Sequence, residues 1–432
     1  MKNIFSVDGL KSLVSGMGTD RDKRNTTNYH YTPLSDQQLI SSYATSWIAK
    51  RLVDIPAEDM LRKWRTWGGD NKADLEALEK KLKIKGKLLD CKKKARLFGG
   101  AAIFIGTGQE LSEPLDFSKV DNIDYLTVLN KHELHSGEIE NDPLSELYGM
   151  PKYYRVAHTG VDNAQEIHPS HFVIMSGDKN IDTFSSFHCG WDISVLQASY
   201  DACKNGDSAA NNIASLLFEA NVDVIGVPDL TSNLSTGGAT YEKNLLTRFA
   251  LAAKGKGISG MLVLDKEEEY NRRSASFAQL PELLTQFTKI PGASQGIPES
   301  RFTGTSSRGL NNSGEGEMKT YYDKIQSMQE LYLEPEISNL DKCLINIAGS
   351  EGDTYTWNPL EQMSEKELSE IAKTTGESLK NINDLGVLAT EEMRQITINA
   401  LSESGAYPNI DNVIAETKAN MSMGTLEELN EE

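Results

Sequence analysis

Two pairs of histidines have the residue type and spacing that metal or acid–base chemistry could use. His132 and His135 enclose Glu-Leu, and His168 and His171 enclose Pro-Ser. Zinc binds imidazole nitrogens, but it needs a full set of ligands in tetrahedral geometry. The first pair lies in a predicted loop, the second contains a proline, and no cysteine or third histidine completes either pair. The sequence therefore predicts no metal site.

Other patterns typical of enzymes are absent or lack the context that would give them a function. The chain contains no H-E-x-x-H. Gly255, Gly257 and Gly260 form G-x-G-x-x-G, but a predicted strand follows, whereas a dinucleotide-binding loop joins a strand to a helix. We also interpret the chain as lacking the paired H-x-S/T motifs that a phosphoesterase would use. The sequence thus predicts no catalytic residue, no cofactor and no enzymatic activity.

The composition is typical of a folded globular protein, since 38% of its 432 residues are hydrophobic and 25% are charged. This length predicts two to four packed units. Asp8 and Lys11 interrupt the apolar run that a signal peptide requires, and nowhere do 18 apolar residues stand together. We therefore expect neither secretion nor a membrane span.

The cysteines form no C-x-x-C pair and have no regular spacing, which argues against a zinc site or a disulfide framework. They are Cys91, Cys189, Cys203 and Cys343. We expect them to be buried thiols in a reducing cytoplasm.

The net charge of −19 is concentrated near the C-terminus, where 17 acidic residues stand against 5 basic ones between Glu351 and Glu432. Because duplex DNA is itself densely negative, a chain with this charge should not grip DNA over its whole surface. We expect any DNA contact to be local and the acidic tail to be solvated.

Hydrophobic periodicity predicts the secondary structure. A helix from Ser35 should end at Pro56, because a helix-interior proline is costly, and a new helix should follow. Further helices are predicted over residues 72–97, 191–221, 241–253 and 277–289, and from Ser364 and Thr390. Strands are predicted over residues 99–108, 125–128, 153–157, 172–175, 224–227 and 260–264. Three consecutive lysines in the helix predicted over residues 72–97, Lys92–Lys94, are interpreted as a solvated face, with phosphate contact as the alternative.

The stretch from residue 290 to 349 organises the rest of the chain. Residues 291–316 are rich in Gly, Ser, Pro, Asn and Thr, which predicts a loop. Ser313 is a plausible N-cap for a long helix with carboxylates in its first turn. Pro335 should kink or break that helix, after which the apolar rhythm resumes.

The same stretch carries a family resemblance. Residues 297–335 contain I-P, F-x-G-x-S-x-x-G-L-N-x-S-G-E, Y-Y-D-x-I-x-x-M-Q-E and L-x-P in order, and residues 52–67 read L-V-D-I-P-A-E-D-M-L-R-K-W-R-T-W. Both blocks resemble portal proteins of tailed bacteriophages and prophages, the head-to-tail connector family. The resemblance covers residues 41–349 well and the C-terminal part loosely.

The resemblance implies an α+β portal fold with an α/β wing, a helical stem, a small β-α-β clip and a helical crown, assembled as a ring. The segments would be an N-terminal arm (1–36), the first part of the wing (37–190), two stem helices (191–220 and 273–290), the clip (221–272), a channel loop (291–316), a kinked wing helix and return (317–358) and a crown with an acidic tail (359–432).

It also implies a function. Portal proteins usually form a ring of twelve copies at one capsid vertex, through which DNA is packaged by terminase and later ejected. The expected partners are the terminase large subunit, major capsid and scaffold proteins, head-completion or adaptor proteins, and double-stranded DNA in the channel, with no membrane partner. The ring would assemble in the bacterial cytoplasm and be part of the virion.

Site residues follow from the same resemblance. If the loop faces the channel, the candidate DNA contacts are Arg301, Ser306, Ser307, Arg308, Asn311 and Asn312. The candidate clip contacts for terminase or adaptor proteins are Asp229, Tyr241, Glu242, Lys243 and Arg248. Two alternatives remain open at this point: a head–tail adaptor or other virion structural protein, and a phage-encoded phosphoesterase.

Overall fold

The computed structural model describes residues 31–145, 147–156, 165–179, 191–218, 221–255, 269–274, 277, 279–304, 314–350, 352–361, 365–385 and 389–403. The chain divides into two units, Met1–Trp357 and Asn358–Glu432. Helices and antiparallel strands both occur, so the predicted α+β class is confirmed.

The described helices are α1 (Asp36–Thr45), α2 (Trp47–Arg62), α3 (Lys72–Leu82), α4 (Ile84–Phe98), α5 (Tyr200–Phe218), α6 (Leu230–Gly255), α7 (Leu280–Ser294), α8 (Glu299–Thr303), α9 (Glu315–Met328), α10 (Glu334–Ala348), α11 (Glu365–Asp384) and α12 (Thr390–Glu403). A π-helical turn, Gln329–Leu333, joins α9 to α10.

The described strands are β1 (Arg65–Trp67), β2 (Gly100–Gly106), β3 (Tyr125–Asn130), β4 (Leu134–Ser136), β5 (Tyr154–Val156), β6 (Glu166–Ile167), β7 (Phe172–Ser176), β8 (Asn221–Gly226), β9 (Glu269–Ser274) and β10 (Tyr355–Trp357). They form antiparallel sheets in the orders β3-β2-β7, β4-β5-β6, β1-β10 and β8-β9.

The core of the first unit surrounds β2, whose residues are all buried, as expected of a central strand between neighbours. Helix α4 packs against the β3-β2-β7 sheet. On one face, Phe104, Tyr154, Phe172 and Trp191 form an aromatic cluster with successive ring centroids 5.4 to 5.7 Å apart. A Cβ at Gly100 would lie 2.1 Å from the Trp191 ring, so only glycine allows this packing.

Helix α2 does not end at Pro56, as the sequence predicts, but continues to Arg62. Proline has no amide hydrogen for the carbonyl of Leu52, four residues earlier. Arg96 on α4 replaces that donor: its Nη2 lies 2.8 Å from the Leu52 oxygen and its Nε lies 3.0 Å from the Val53 oxygen. A side chain from a neighbouring helix therefore removes much of the cost of the interior proline.

The long C-terminal helix of this unit also differs in detail from the prediction. It begins after Gly314, which has a φ of 70° and occupies the N-cap position predicted for Ser313. The irregularity predicted at Pro335 appears as the π-helical turn just before it. In that turn the buried Gln329 donates from Nε2 to the carbonyl of Met60 at 2.6 Å, which ties the turn to the last residues of α2.

The interpretation of the three lysines as a solvated face is wrong for Lys92. This side chain is only 3% exposed, and its Nζ lies 3.0 and 2.8 Å from the carboxylate oxygens of Glu336. The other two lysines also pair with carboxylates, Lys93 with Glu58 at 2.7 Å and Lys94 with Asp90 at 2.8 Å.

Two predicted helices have different bounds in the structure, and one predicted strand cannot be compared. The helix predicted over 191–221 begins only at Tyr200, because the preceding residues bond to the end of β7 through the bridge between Asp178 and Ile193. The predicted strand 260–264 lies outside the described residues, and β8 pairs with β9. The helix predicted over 277–289 extends to Ser294, so the channel loop predicted from residue 291 starts inside a helix.

The second unit contains α11 and α12, which pack against each other. Leu379 and Met393 are buried in it. The second helix starts at Thr390, as predicted, whereas the predicted cap Ser364 lies outside the described residues. No helix in the described ranges of either unit is long and apolar enough to cross a membrane.

Candidate functional site

The stretch that the sequence assigns to stem and clip is built from α5, the β8-β9 ribbon, α6 and α7. Helices α5 and α7 pack against each other, and both contact α2. Their close approach depends on Gly206, where a Cβ would lie 2.7 Å from Ile48 and 3.3 Å from the carbonyl oxygen of Phe287. The two strands pair from Asn221 with Ser274 to Gly226 with Glu269.

Helix α6 presents most of its described side chains to solvent. A break at Gly238, whose φ is 52°, separates its first turns from the part that carries most of the predicted clip residues. Glu242, Lys243 and Arg248 are exposed, and Tyr241 is half-buried. The structure therefore brings four of the five predicted clip residues onto one exposed helix.

Asp229 precedes α6 and is also exposed. Its φ is 50°, a left-handed conformation that aspartate tolerates better than most residues. The tight turn from β8 into α6 places this carboxylate near the start of the helix, apart from the other clip candidates.

An exposed apolar row lies on α7. Leu283, Phe287 and Ile290 are 50%, 40% and 55% exposed, and their spacing of four and three residues puts them on one side of the helix. Leu246 on α6 and Leu216 on α5 are 63% and 43% exposed. Such a row, on a long helix with little else covering it, is typical of a surface that another protein covers.

Arg301, the first candidate DNA contact, is held by an internal ion pair. It lies on α8, and its Nε and Nη2 are each 3.0 Å from an oxygen of Asp59, which is 1% exposed. The Tyr321 hydroxyl donates to the same carboxylate at 2.9 Å. The hydrogen bonds that Arg301 donates to Asp59 raise the pKa of the guanidinium, so its charge is already compensated within the fold.

The remaining loop candidates, Ser306, Ser307, Arg308, Asn311 and Asn312, lie outside the described residues. Of the six side chains predicted to face DNA, the structure thus places only Arg301, and it places that one against α2. The partner Asp59 is 242 residues away in sequence. No local pattern indicates such a pairing, although Asp59 lies in the family motif at residues 52–67.

A second buried charge cluster was missed altogether by the sequence interpretation. Arg65 on β1 forms two hydrogen bonds of 2.6 Å to Asp341 on α10 and an ion pair of 2.9 Å to Glu79 on α3. Its guanidinium carbon lies 4.4 Å from the Trp67 ring centroid and 4.2 Å from that of Tyr355. The cluster joins β1, α3, α10 and β10, and its only sequence signal is an arginine between tryptophans.

Among the described residues, no group of three or more His, Cys, Asp or Glu side chains lies together in a way that could hold a metal ion. Two H-x-S/T tripeptides do occur, at residues 30–32 and 168–170, so the interpretation that the chain lacks a pair is wrong. His168 Nδ1 lies 2.8 Å from the Ser170 hydroxyl, which also accepts from the Leu115 amide at 2.7 Å. His168 Nδ1 also accepts from the backbone amide of Ser170 at 3.2 Å, which caps a short 3-10 turn, while His30 lies outside the described residues.

Comparison with known proteins connects this architecture to a family. A family model described as phage portal protein matches residues 37–381. A protein of Caulobacter sp. (strain RHG1) named anti-CBASS protein Acb1 is 35% identical over 437 residues, which cover 96% of this chain and 69% of that protein. An uncharacterized protein of Haemophilus influenzae is 26% identical over 94% of this chain and 92% of its own length.

A solved structure shares the fold. It is the neck of an empty gene transfer agent particle computed with C6 symmetry, which superimposes with a TM-score of 0.51. The match covers 87% of this chain and 96% of that one at 12% identity.

Proposed function

Since this chain belongs to the phage portal protein family, we propose that twelve copies of it form a ring at one capsid vertex. In this proposal the ring is the channel for DNA packaging by terminase and for ejection, and the docking site for head-completion proteins. The family is one of structural virion components, which agrees with the prediction that the chain is not an enzyme.

The observation that carries the ring is the exposed apolar row on α7. Full burial of an exposed side chain of this size contributes about 1.5 to 3 kcal/mol, and because these three are already about half buried, association would gain roughly half of that from each. The related neck structure was computed with C6 symmetry, which fits a closed ring of portal-like chains. In a ring, the row on one copy would lie against α5 or α7 of the next.

Charge supports the passage of DNA through this ring. With a net charge of −19, the protein surface should repel the duplex more than it attracts it, so that DNA can slide. Because Arg301 is paired with Asp59, the DNA contacts are assigned to Arg308, Asn311 and Asn312. The exposed clip residues Glu242, Lys243 and Arg248 are assigned to terminase and adaptor binding.

Native mass spectrometry of the full chain tests the ring. The expected species is about twelve times the 47.7 kDa chain. Leu283→Glu combined with Phe287→Glu should shift the protein to small species, because two carboxylates would be buried in the interface. Leu144→Glu is the matched control, since Leu144 is 94% exposed and belongs to the turn between the bridged residues Ile139 and Pro151 and not to α7.

A wild-type protein that stays monomeric at high concentration, also when co-expressed with its scaffold protein, would contradict the ring. So would a loss of assembly in the Leu144→Glu control as large as in the double variant.

An anti-CBASS role is the second candidate, because the Caulobacter relative carries that name. About three tenths of that relative lies outside the match, whereas the Haemophilus protein is matched over nearly its whole length. We therefore assign the shared region to the portal role. Expression of this chain alone should give phage no protection from CBASS, and protection would favour the second candidate.

A further inference from the structure

A cavity of about 200 Å³ lies between α2, α4, the end of β7, the end of α7 and the helix from α9 to α10. The charged side chains that line it are Lys92, Arg96, Asp178, Lys179, Lys324 and Glu336. Four of these six carry a positive charge. The cavity is therefore more basic than the strongly acidic chain around it.

Arg96 is unusual among the buried cations of the described residues. Lys92 pairs with Glu336, and Arg65 pairs with Asp341, as buried charges generally do. Arg96 is 2% exposed, yet no carboxylate within the described ranges lies within 4 Å of it. Its Nε and Nη2 donate to the neutral carbonyls of α2, and its Nη1 has no hydrogen-bond partner among the described residues.

Without a close counter-charge, the pKa values of Arg96 and of the nearby Lys324 are both lowered. Burial lowers the pKa of Arg96 to about 10. Lys324 donates to the carbonyl of Gln295 at 2.6 Å, and desolvation together with the charge of Arg96 lowers the pKa of its ammonium group. Asp178 acts on both cations, but it is exposed, so solvent weakens its effect.

We propose that this cavity binds a compact oxyanion of the phosphate class, held by Nη1 of Arg96 and Nζ of Lys324. Such an ion would supply both the negative charge and the acceptor that the buried guanidinium lacks. Because Arg96 lies well below the surface, a free phosphate or sulfate fits better than a phosphodiester carrying a sugar on each side. This site is independent of the ring.

The test uses the full-length protein and inorganic phosphate as the probe. Thermal unfolding and isothermal titration are measured in potassium phosphate and in potassium chloride of equal ionic strength. Phosphate should raise the unfolding temperature more than chloride. Lys324→Gln should weaken phosphate binding about tenfold, since a charge-assisted hydrogen bond is lost.

Two further variants sharpen the test. Asp178→Asn should bind phosphate more tightly, because it removes the competing carboxylate. Lys319→Gln is the control: Lys319 is exposed on the same helix, α9, but does not line the cavity. An equal effect of phosphate and chloride on the wild type, or undiminished phosphate binding in Lys324→Gln, would overturn the proposal.

A short DNA duplex distinguishes the source of the phosphate. It should not compete with inorganic phosphate for this cavity. If the duplex does compete in the wild type but not in Lys324→Gln, Arg96 and Lys324 remain the donors, and the phosphate that they bind belongs to the DNA backbone.

Discussion

Arg96 donates from Nη2 to the carbonyl oxygen of Leu52, 2.8 Å away. That oxygen is the acceptor that Pro56, four residues later, cannot satisfy. Helix α2 carries most of the family motif at residues 52–67, and α4 packs against the central sheet. This bond therefore joins that motif to the core. It also fixes the guanidinium at the wall of the cavity.

Replacing Arg96 with methionine should lower the free energy of unfolding by about 1 to 3 kcal/mol, because a buried carbonyl loses its partner. In a Pro56→Ala background the same replacement should cost less, since alanine restores the helical amide for Leu52. Urea unfolding of the four proteins in this double-mutant cycle measures the coupling. Equal costs in both backgrounds would show that the bond does not compensate for the proline.

Asp341→Leu should destabilise the first unit by about 3 kcal/mol, the lower end for a broken buried ion pair, because Glu79 still compensates part of the Arg65 charge. Asp116→Asn is the control, since the pair of Asp116 with Lys119 is exposed and should matter little. Thermal unfolding of both variants checks the difference. Similar midpoints for the two would contradict a structural role for the Arg65 cluster.

The sequence predicts well what depends on neighbouring residues. Periodicity and turn residues alone predict the buried strand over residues 99–108, which spans Gly100–Gly106 in the structure. They also predict the start of α12 at Thr390 and the irregularity near Pro335. The burial of Cys91, Cys203 and Cys343 is confirmed in the same way, whereas Cys189 lies outside the described residues.

The sequence fails where a distant partner decides the outcome. Pro56 remains inside a helix because Arg96 replaces its amide, and Lys92 is buried because Glu336 neutralises it. Arg301 pairs with Asp59 across 242 residues. Helical periodicity and local composition describe one element at a time, so they contain no information about which element supplies a counter-charge.

Arg301→Gln should reduce stability by about 1 to 3 kcal/mol, because the buried Asp59 would keep only the Tyr321 hydroxyl at 2.9 Å and the more distant Arg62, whose Nε lies 3.9 Å away. Asp59→Asn should have a similar effect, and the double variant should cost less than the sum of the two.

Arg301 and Arg308 also form a matched pair for DNA contact. Arg308→Gln should decrease the salt dependence of DNA binding, with the slope against log salt falling by about one. Arg301→Gln should leave that slope unchanged. A smaller slope in Arg301→Gln together with an unchanged slope in Arg308→Gln would mean that Arg301, and not Arg308, contacts DNA.

His171 should make stability depend on pH. Its Nε2 lies 3.0 Å from the carbonyl oxygen of Glu113, and its buried Nδ1 has no acceptor among the described residues. Burial lowers the pKa of His171 in the folded protein, and protonation would place an unpaired charge there. The unfolded chain takes up the proton first, so acidification favours unfolding.

The stability that neutral His171 provides is therefore complete above about pH 6.5, the unfolded value, and is lost as the pH falls below it by up to about 1.4 kcal/mol per pH unit. His171→Gln keeps an amide donor for Glu113 but cannot titrate. Urea unfolding between pH 5 and 8 should thus show a weaker decline at low pH for the variant than for the wild type. Burial also lowers the pKa of His168, and the nearby His171 lowers it further, so the difference between the curves combines the loss of His171 with a smaller change at His168. Parallel curves would mean that His171 is protonated without cost in the folded protein, for example through a local opening of the turn at Pro169.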